Sequence, residues 1–221
     1  MRIRPLGPVA RVLYRAIRGL IGVLAKLLGR VEVIGRENVP ASGAFVLAPV
    51  HRSNIDFALA SLVTTRRMRY MTKDSVWKSR ALGAFVSFLG GFPVRRGTAD
   101  REALRTCVEV IEVGEPLVMF PEGTRRSGPV VEELFDGPVY VAAKTQVPIV
   151  PVGIGGSEAM MPKGSKLLKP SKLVLVVGAP IDPPRPSETG RISRRAVKAA
   201  TDQLRAEIQK LFDEARSRAG A

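Results

Sequence analysis

A chain of 221 residues sets the expectation of one sizeable domain, or one domain with an appendage, able to bury a core without disulfide or metal support. Lys and Arg total 35 against 20 Asp and Glu, and the resulting formal charge of +15 favours anionic partners: nucleic acid, acidic lipid or phosphorylated substrates. A single cysteine, Cys107, excludes an intrachain disulfide, and a single histidine, His51, argues against a His/Cys zinc site, so the reducing cytosolic side of a membrane is the expected compartment.

Seven basic side chains (Arg2, Arg4, Arg11, Arg15, Arg18, Lys26, Arg30) and no acid fall within the first 30 residues. Only seven uncharged residues separate Arg18 from Lys26, against the roughly 20 that a spanning helix needs. A secretory signal is not expected either, because arginines interrupt the apolar run and no small-residue cleavage site follows. Stepped at about 100° per residue, Arg11, Arg15, Arg18 and Lys26 share one sector about 80° wide. Val9, Val12, Leu13, Ile17, Leu20, Ile21, Leu24, Leu27 and Leu28 lie opposite. That is the pattern of a helix lying in a membrane interface. The alternative is a helix packed on its own domain with a solvated basic face; the lack of compensating acid favours the interface. Residues 1–30 are thus read as an interfacial helix and 31–221 as the main domain.

Beyond residue 30, strand-like runs are expected at 30–34, 44–48, 68–71, 91–95, 116–120, 147–153 and 172–177. Several are continuously apolar, as when both faces of a sheet are covered. Helices are expected at 54–63, 75–89, 101–113, 138–145 and 193–218, with the Pro-rich stretch 180–186 leading into the last. Alternation of this kind predicts an α/β fold, a mostly parallel central sheet with helices on both faces. Pro148 and Pro151 would most simply mark an edge or the end of a strand. The apolar set Trp77, Leu82, Phe85, Phe88 and Leu89 either joins the N-terminal helix at a membrane or packs in the core.

Three strand ends carry polar clusters. His51 closes an apolar strand, and in open α/β sheets ligands bind where such ends converge. Asp56 follows five residues later. Five is a poor same-face helical spacing, but it works if His51 sits on the turn and Asp56 in the first turn of the next helix. The carboxylate could then accept from one ring nitrogen and leave the other as a base; alternatively it only complements the helix N-terminus. Phe120-Pro121-Glu122-Gly123-Thr124-Arg125-Arg126 and Gly90-Gly91-Phe92-Pro93-Val94-Arg95-Arg96 also end apolar runs, and their arginines match phosphate oxygens.

Taken together these residues resemble the glycerolipid acyltransferases, which include the lysophosphatidate and glycerol-3-phosphate enzymes. His51 and Asp56 match the H-x-x-x-x-D signature, residues 90–96 the second block, Phe120 to Arg125 the F-P-E-G-T-R block, and Val147-Pro148-Ile149-Val150-Pro151-Val152 the apolar-proline block. Lys73 stands where bacterial lysophosphatidate enzymes often carry a lysine. Val50 departs from the Asn common before the histidine there, and His51-Arg52-Ser53 is similar to the glycerol-3-phosphate enzymes.

The resemblance implies transfer of a fatty acyl group from acyl-coenzyme A or acyl carrier protein to 1-acylglycerol-3-phosphate, forming phosphatidic acid in phospholipid biosynthesis. Glycerol-3-phosphate or another lysophospholipid is the alternative acceptor. His51 would be the general base, oriented by Asp56. Lys73, Arg96 and Arg125 would bind the acceptor phosphate. Glu122 would orient these cations or touch an acceptor hydroxyl, with Gly123 and Thr124 in support, and backbone N–H groups near Gly123 could serve as oxyanion donors. No metal or cofactor beyond the donor thioester is expected. Anionic lipid would be met by Arg11, Arg15, Arg18, Lys26, Leu20 and Leu24, giving a peripheral or monotopic protein on the cytoplasmic face of the membrane. Cys107 falls within a helix and no G-x-S-x-G elbow occurs, so direct transfer is favoured over an acyl-enzyme. A nucleic-acid-binding module lacks an aromatic-basic platform, aromatics being 5%; no nucleic acid is expected.

Overall fold

The computed structural model describes residues 7–94, 101–165 and 167–221. Its strands are β1 (Glu32–Ile34), β2 (Val46–Pro49), β3 (Arg69–Lys73), β4 (Gly91–Val94), β5 (Leu117–Val118), β6 (Ile149–Gly155) and β7 (Val174–Val177). They form one sheet in the order β1-β7-β6-β2-β5-β3-β4. Every neighbouring pair is parallel except β6 with β7. The expected architecture is therefore observed. β2, β5, β6 and β7 are buried along their whole length and continuously apolar.

Helices α1 (Pro8–Gly29), α2 (Asp56–Ala60), α3 (Arg80–Phe88), α4 (Arg101–Glu112), α5 (Gly137–Thr145), α6 (Ser157–Met160) and α7 (Arg194–Ala219) complete the fold. β7 shows how both sheet faces are covered. Val174 and Val176 pack with Leu211 and Ala215 of α7, whereas Leu173, one pleat out of phase, meets Gly29 at the end of α1. Gly153 and Gly155 let β6 approach α7 closely: a Cβ at either would strike the backbone of Leu211 or Ala215.

Four local expectations are revised. α2 is five residues long, not ten, because the N–H groups of Ser61, Leu62 and Val63 reach back three residues instead of four. The expected helix at 75–89 splits into a 3-10 turn (Asp74–Lys78) and α3, whose N-cap is Ser79. Pro151 lies inside a central strand, not at an edge or strand end. Its missing N–H is tolerated because Ile149 exchanges two bonds with Ile181 and the Pro151 carbonyl accepts from Gly178, leaving the gap between them. The four-residue α6 was not expected.

α1 is rotated relative to the sequence expectation. Tyr14, Ile17, Arg18, Ile21, Gly22, Ala25 and Gly29 face the domain. Arg18, expected beside Arg11, Arg15 and Lys26 on an outward basic face, points inward, and its Nε donates to the Ser61 carbonyl at 3.0 Å. Small residues on this side permit close approach: the position of a Gly22 Cβ is in contact with Leu62, and that of Gly29 overlaps Leu173. Val9, Val12, Leu13, Leu20, Val23, Leu24 and Leu27 are left exposed, with Arg11, Arg15 and Lys26 also in solvent. Among the described residues no helix is long and apolar enough to cross a membrane.

Replacing Gly153 by Ala forces α7 away from β6, and overpacking of this kind costs about 1–3 kcal/mol. Urea denaturation of Gly153→Ala should show a lowered midpoint, whereas Gly43→Ala, whose Cβ would point into open space, tests the separate cost of its positive φ.

Candidate active site

β2 ends at Pro49, and the turn that follows carries His51. Asp56 opens α2, where a carboxylate suits the positive end of the helix. The five-residue spacing thus closes across a turn. Asp56 Oδ2 lies 3.0 Å from His51 Nδ1 and accepts the backbone N–H groups of Arg52 and Ser53, both at 2.6 Å. Since a carboxylate only accepts, this makes Nδ1 the protonated ring nitrogen and leaves Nε2 with its lone pair. The ring stacks on Phe120, with centroids 4.0 Å apart and planes 25° from parallel. Asp56 is fully buried, and its Oδ1 has no hydrogen-bond partner among the described residues.

A second buried carboxylate holds the same turn from behind. Glu122 Oε2 accepts the His51 backbone N–H at 2.9 Å. Both Glu122 oxygens accept from Arg52 Nη1, at 2.8 and 2.7 Å. Arg52 also donates to the carbonyls of His51, Gly128 and Val130 and lies over the Phe212 ring. Glu122 is completely buried, and the cation it holds here is Arg52. It braces the histidine turn.

A cavity of about 830 Å³ opens beside the ring. His51, Asn54 and Arg125, together with Arg18, Tyr70 and Asp136, are among its polar lining; Tyr14, Ile17 and Ile21 of α1, with Val86 and Leu89, contribute apolar wall. Gly123 adopts φ 66° and its N–H is taken by the Phe120 carbonyl, which removes that group from the expected oxyanion donors. Thr124 is exposed and does not line the cavity. Lys73, at the exposed end of β3, does not line it either. Arg96 lies outside the described residues. Leu82 and Phe85 of α3 are exposed, while Phe88 meets Tyr14 edge-on at 6.5 Å.

Arg52 and Tyr70 were not among the expected site residues. Nothing in a hydropathy pattern marks an arginine for complete burial. Tyr70 lines the cavity with a buried hydroxyl that has no partner among the described residues, and burial pushes its phenol well above the usual range. Burial also pushes the Cys107 thiol up to about 12, in keeping with its packing inside α4. Among the described residues no cluster of three His, Cys, Asp or Glu could hold a metal ion.

An imidazole fixed by a carboxylate, beside a mostly apolar cavity, is equipment for moving a group to or from a hydroxyl attached to hydrocarbon. The chain belongs to the acyltransferase family, whose model matches residues 30–155. It is 29% identical over 170 residues to the 1-acyl-sn-glycerol-3-phosphate acyltransferase of Bacillus subtilis (strain 168), covering 76% of this chain and 82% of that protein. The enzyme of that name from Streptococcus pneumoniae is 24% identical over 92% of this chain and 75% of its own length. The crystal structure of the 1-acyl-sn-glycerophosphate acyltransferase PlsC from Thermotoga maritima shares the fold with a TM-score of 0.76 at 24% identity, covering 96% of this chain and 84% of that one.

Two outcomes follow from the burial. Arg52→Ala strands the Glu122 charge, and breaking a buried pair costs about 3–5 kcal/mol, measurable as a lowered urea midpoint. A maleimide at neutral pH should leave Cys107 of the folded protein unmodified and label it fully after denaturation, because the buried thiol is neither accessible nor ionised.

Proposed function

We propose that this acyltransferase moves a fatty acyl group from a thioester, acyl-coenzyme A or acyl carrier protein, to the free hydroxyl of 1-acylglycerol-3-phosphate, giving phosphatidic acid. The observation that carries the reading is the His51–Asp56 pair at the rim of an apolar cavity that also presents Arg125. The names of the relatives from Bacillus and Streptococcus support this acceptor. The acceptor hydroxyl attacks the thioester carbonyl while Nε2 of His51 takes its proton. Collapse of the tetrahedral intermediate breaks the carbon–sulfur bond, and the imidazolium protonates the leaving thiolate. Asp56 keeps the ring in the tautomer and orientation this requires. Arg125 binds the acceptor phosphate as a bidentate partner and so places the hydroxyl; Arg96 is proposed to share that role. Direct transfer accords with the inaccessible Cys107.

The outward apolar face of α1, including Leu20 and Leu24, would lie at the headgroup–acyl boundary of the cytoplasmic membrane face, with Arg11, Arg15 and Lys26 meeting anionic lipid. Arg18 leaves this set for the cavity wall. The helix thereby delivers the site to substrates that reside in the bilayer.

Purified protein given acyl-coenzyme A and, separately, 1-acylglycerol-3-phosphate, glycerol-3-phosphate and other lysophospholipids should form phosphatidic acid from the first as its principal product by mass. Acylation of glycerol-3-phosphate alone would overturn the acceptor. Removing a general base typically costs about 10²–10⁴ in rate, so His51→Ala should lose turnover on that scale with unchanged circular dichroism. Arg125→Ala should raise the acceptor KM about tenfold to a hundredfold, the worth of a charged hydrogen bond, with little change in the donor KM.

A further inference from the structure

Between α6 and β7 runs a loop, residues 161–172, that the site does not use. Its sequence is Met161-Pro162-Lys163-Gly164-Ser165-Lys166-Leu167-Leu168-Lys169-Pro170-Ser171-Lys172, four lysines and no acid. Leu167 is 75% exposed and Leu168 50%, so two adjacent leucines stand in water. Lys163, Lys169 and Lys172 are exposed as well. The leucines do not dangle. Ser165 N–H donates to the Pro162 carbonyl, Leu167 N–H to Ser165 Oγ, and Lys169 N–H to the Met160 carbonyl, so the fold itself presents them.

Both ends of this loop are tied to functional elements. Ser53 Oγ, on the histidine turn, donates to the Met161 carbonyl at 2.7 Å. Leu173 N–H donates to the Gly29 carbonyl at 2.7 Å, where α1 ends directly after the exposed Leu27 and Leu28. Leucine pairs amid lysines have the chemistry of a surface that enters an anionic bilayer: hydrocarbon for the acyl boundary and ammonium groups for the phosphates.

We propose that Leu167 and Leu168 form a second lipid-inserting element, with Lys163 and Lys169 on anionic headgroups; Lys172 is already paired with Glu32. With α1 this gives two points of attachment, which fix the tilt of the molecule as well as its distance from the bilayer. The hydrogen bond from Ser53 ties the start of this loop to the histidine turn. The inference rests on the proposed interfacial role of α1.

The test uses single exposed thiols, since Cys107 is buried. Leu167→Cys and Leu20→Cys are labelled with an environment-sensitive nitrobenzoxadiazole dye and mixed with phosphatidylcholine vesicles with or without phosphatidylglycerol. Both dyes should shift to the blue on anionic vesicles and be quenched by lipid carrying a nitroxide on its acyl chain. A blue shift at position 20 with water-like emission at 167 overturns the second attachment alone. Silence at both positions overturns the interfacial role of α1 together with it. A response at 167 to acyl carrier protein but not to vesicles overturns the lipid assignment in favour of an acidic protein. In unlabelled protein, Lys163→Gln and Lys169→Gln should each weaken partitioning to anionic vesicles about fivefold. Turnover of a short-chain, water-soluble acceptor should stay at the wild-type rate, because no described residue of the loop lines the cavity; unchanged vesicle partitioning in both lysine variants would contradict the headgroup contacts.

Discussion

Two buried carboxylates anchored to one six-residue turn are the constraint on which the site depends. An isolated carboxylate buried in protein is costly. Asp56 is compensated by three donors on one oxygen, two of them backbone N–H groups of the turn it faces. Glu122 is compensated by Arg52 and by the His51 backbone N–H. The guanidinium of Arg52 in turn satisfies three carbonyls, one of them that of His51. The turn is therefore held through its own peptide groups on both sides. The direction of the imidazole follows from that bracing, with Phe120 supporting the ring face.

Much of this was legible in the sequence, for physical reasons that differ by element. β2 and β6 showed as unbroken apolar runs because both of their faces are covered. The His51–Asp56 pair showed because a strand-end turn resolves a spacing that no continuous helix would allow. Arg52 stayed hidden: its charge argues for solvent, and only the three-dimensional arrival of Glu122 from the loop after β5 and of two distant carbonyls makes burial tolerable. The inner face of α1 stayed hidden as well. An amphipathicity projection ranks side chains by hydropathy, whereas the helix docks through the small residues Gly22, Ala25 and Gly29 and through Arg18, which finds the Ser61 carbonyl.

That rotation changes what α1 is. One face walls the cavity beside His51 and the other exposes a ridge of Leu and Val with Arg11, Arg15 and Lys26 alongside. A hydrocarbon chain leaving a bilayer would thus meet the same helix that bounds the reaction chamber. The cavity is largely apolar, but Tyr70 brings into its wall a hydroxyl without a partner among the described residues, so the interior is not uniform hydrocarbon.

The most direct measurement exploits the fact that these 221 residues contain one histidine. Nitrogen-15 NMR of histidine-labelled protein reports a single imidazole and reads its tautomer without assignment. The account predicts a proton on Nδ1 and a bare Nε2 at neutral pH, with Asp56→Asn shifting the balance toward the Nε2–H form. A native ring protonated on Nε2 alone would contradict it, because the nitrogen facing the cavity could not then accept the proton of an attacking hydroxyl.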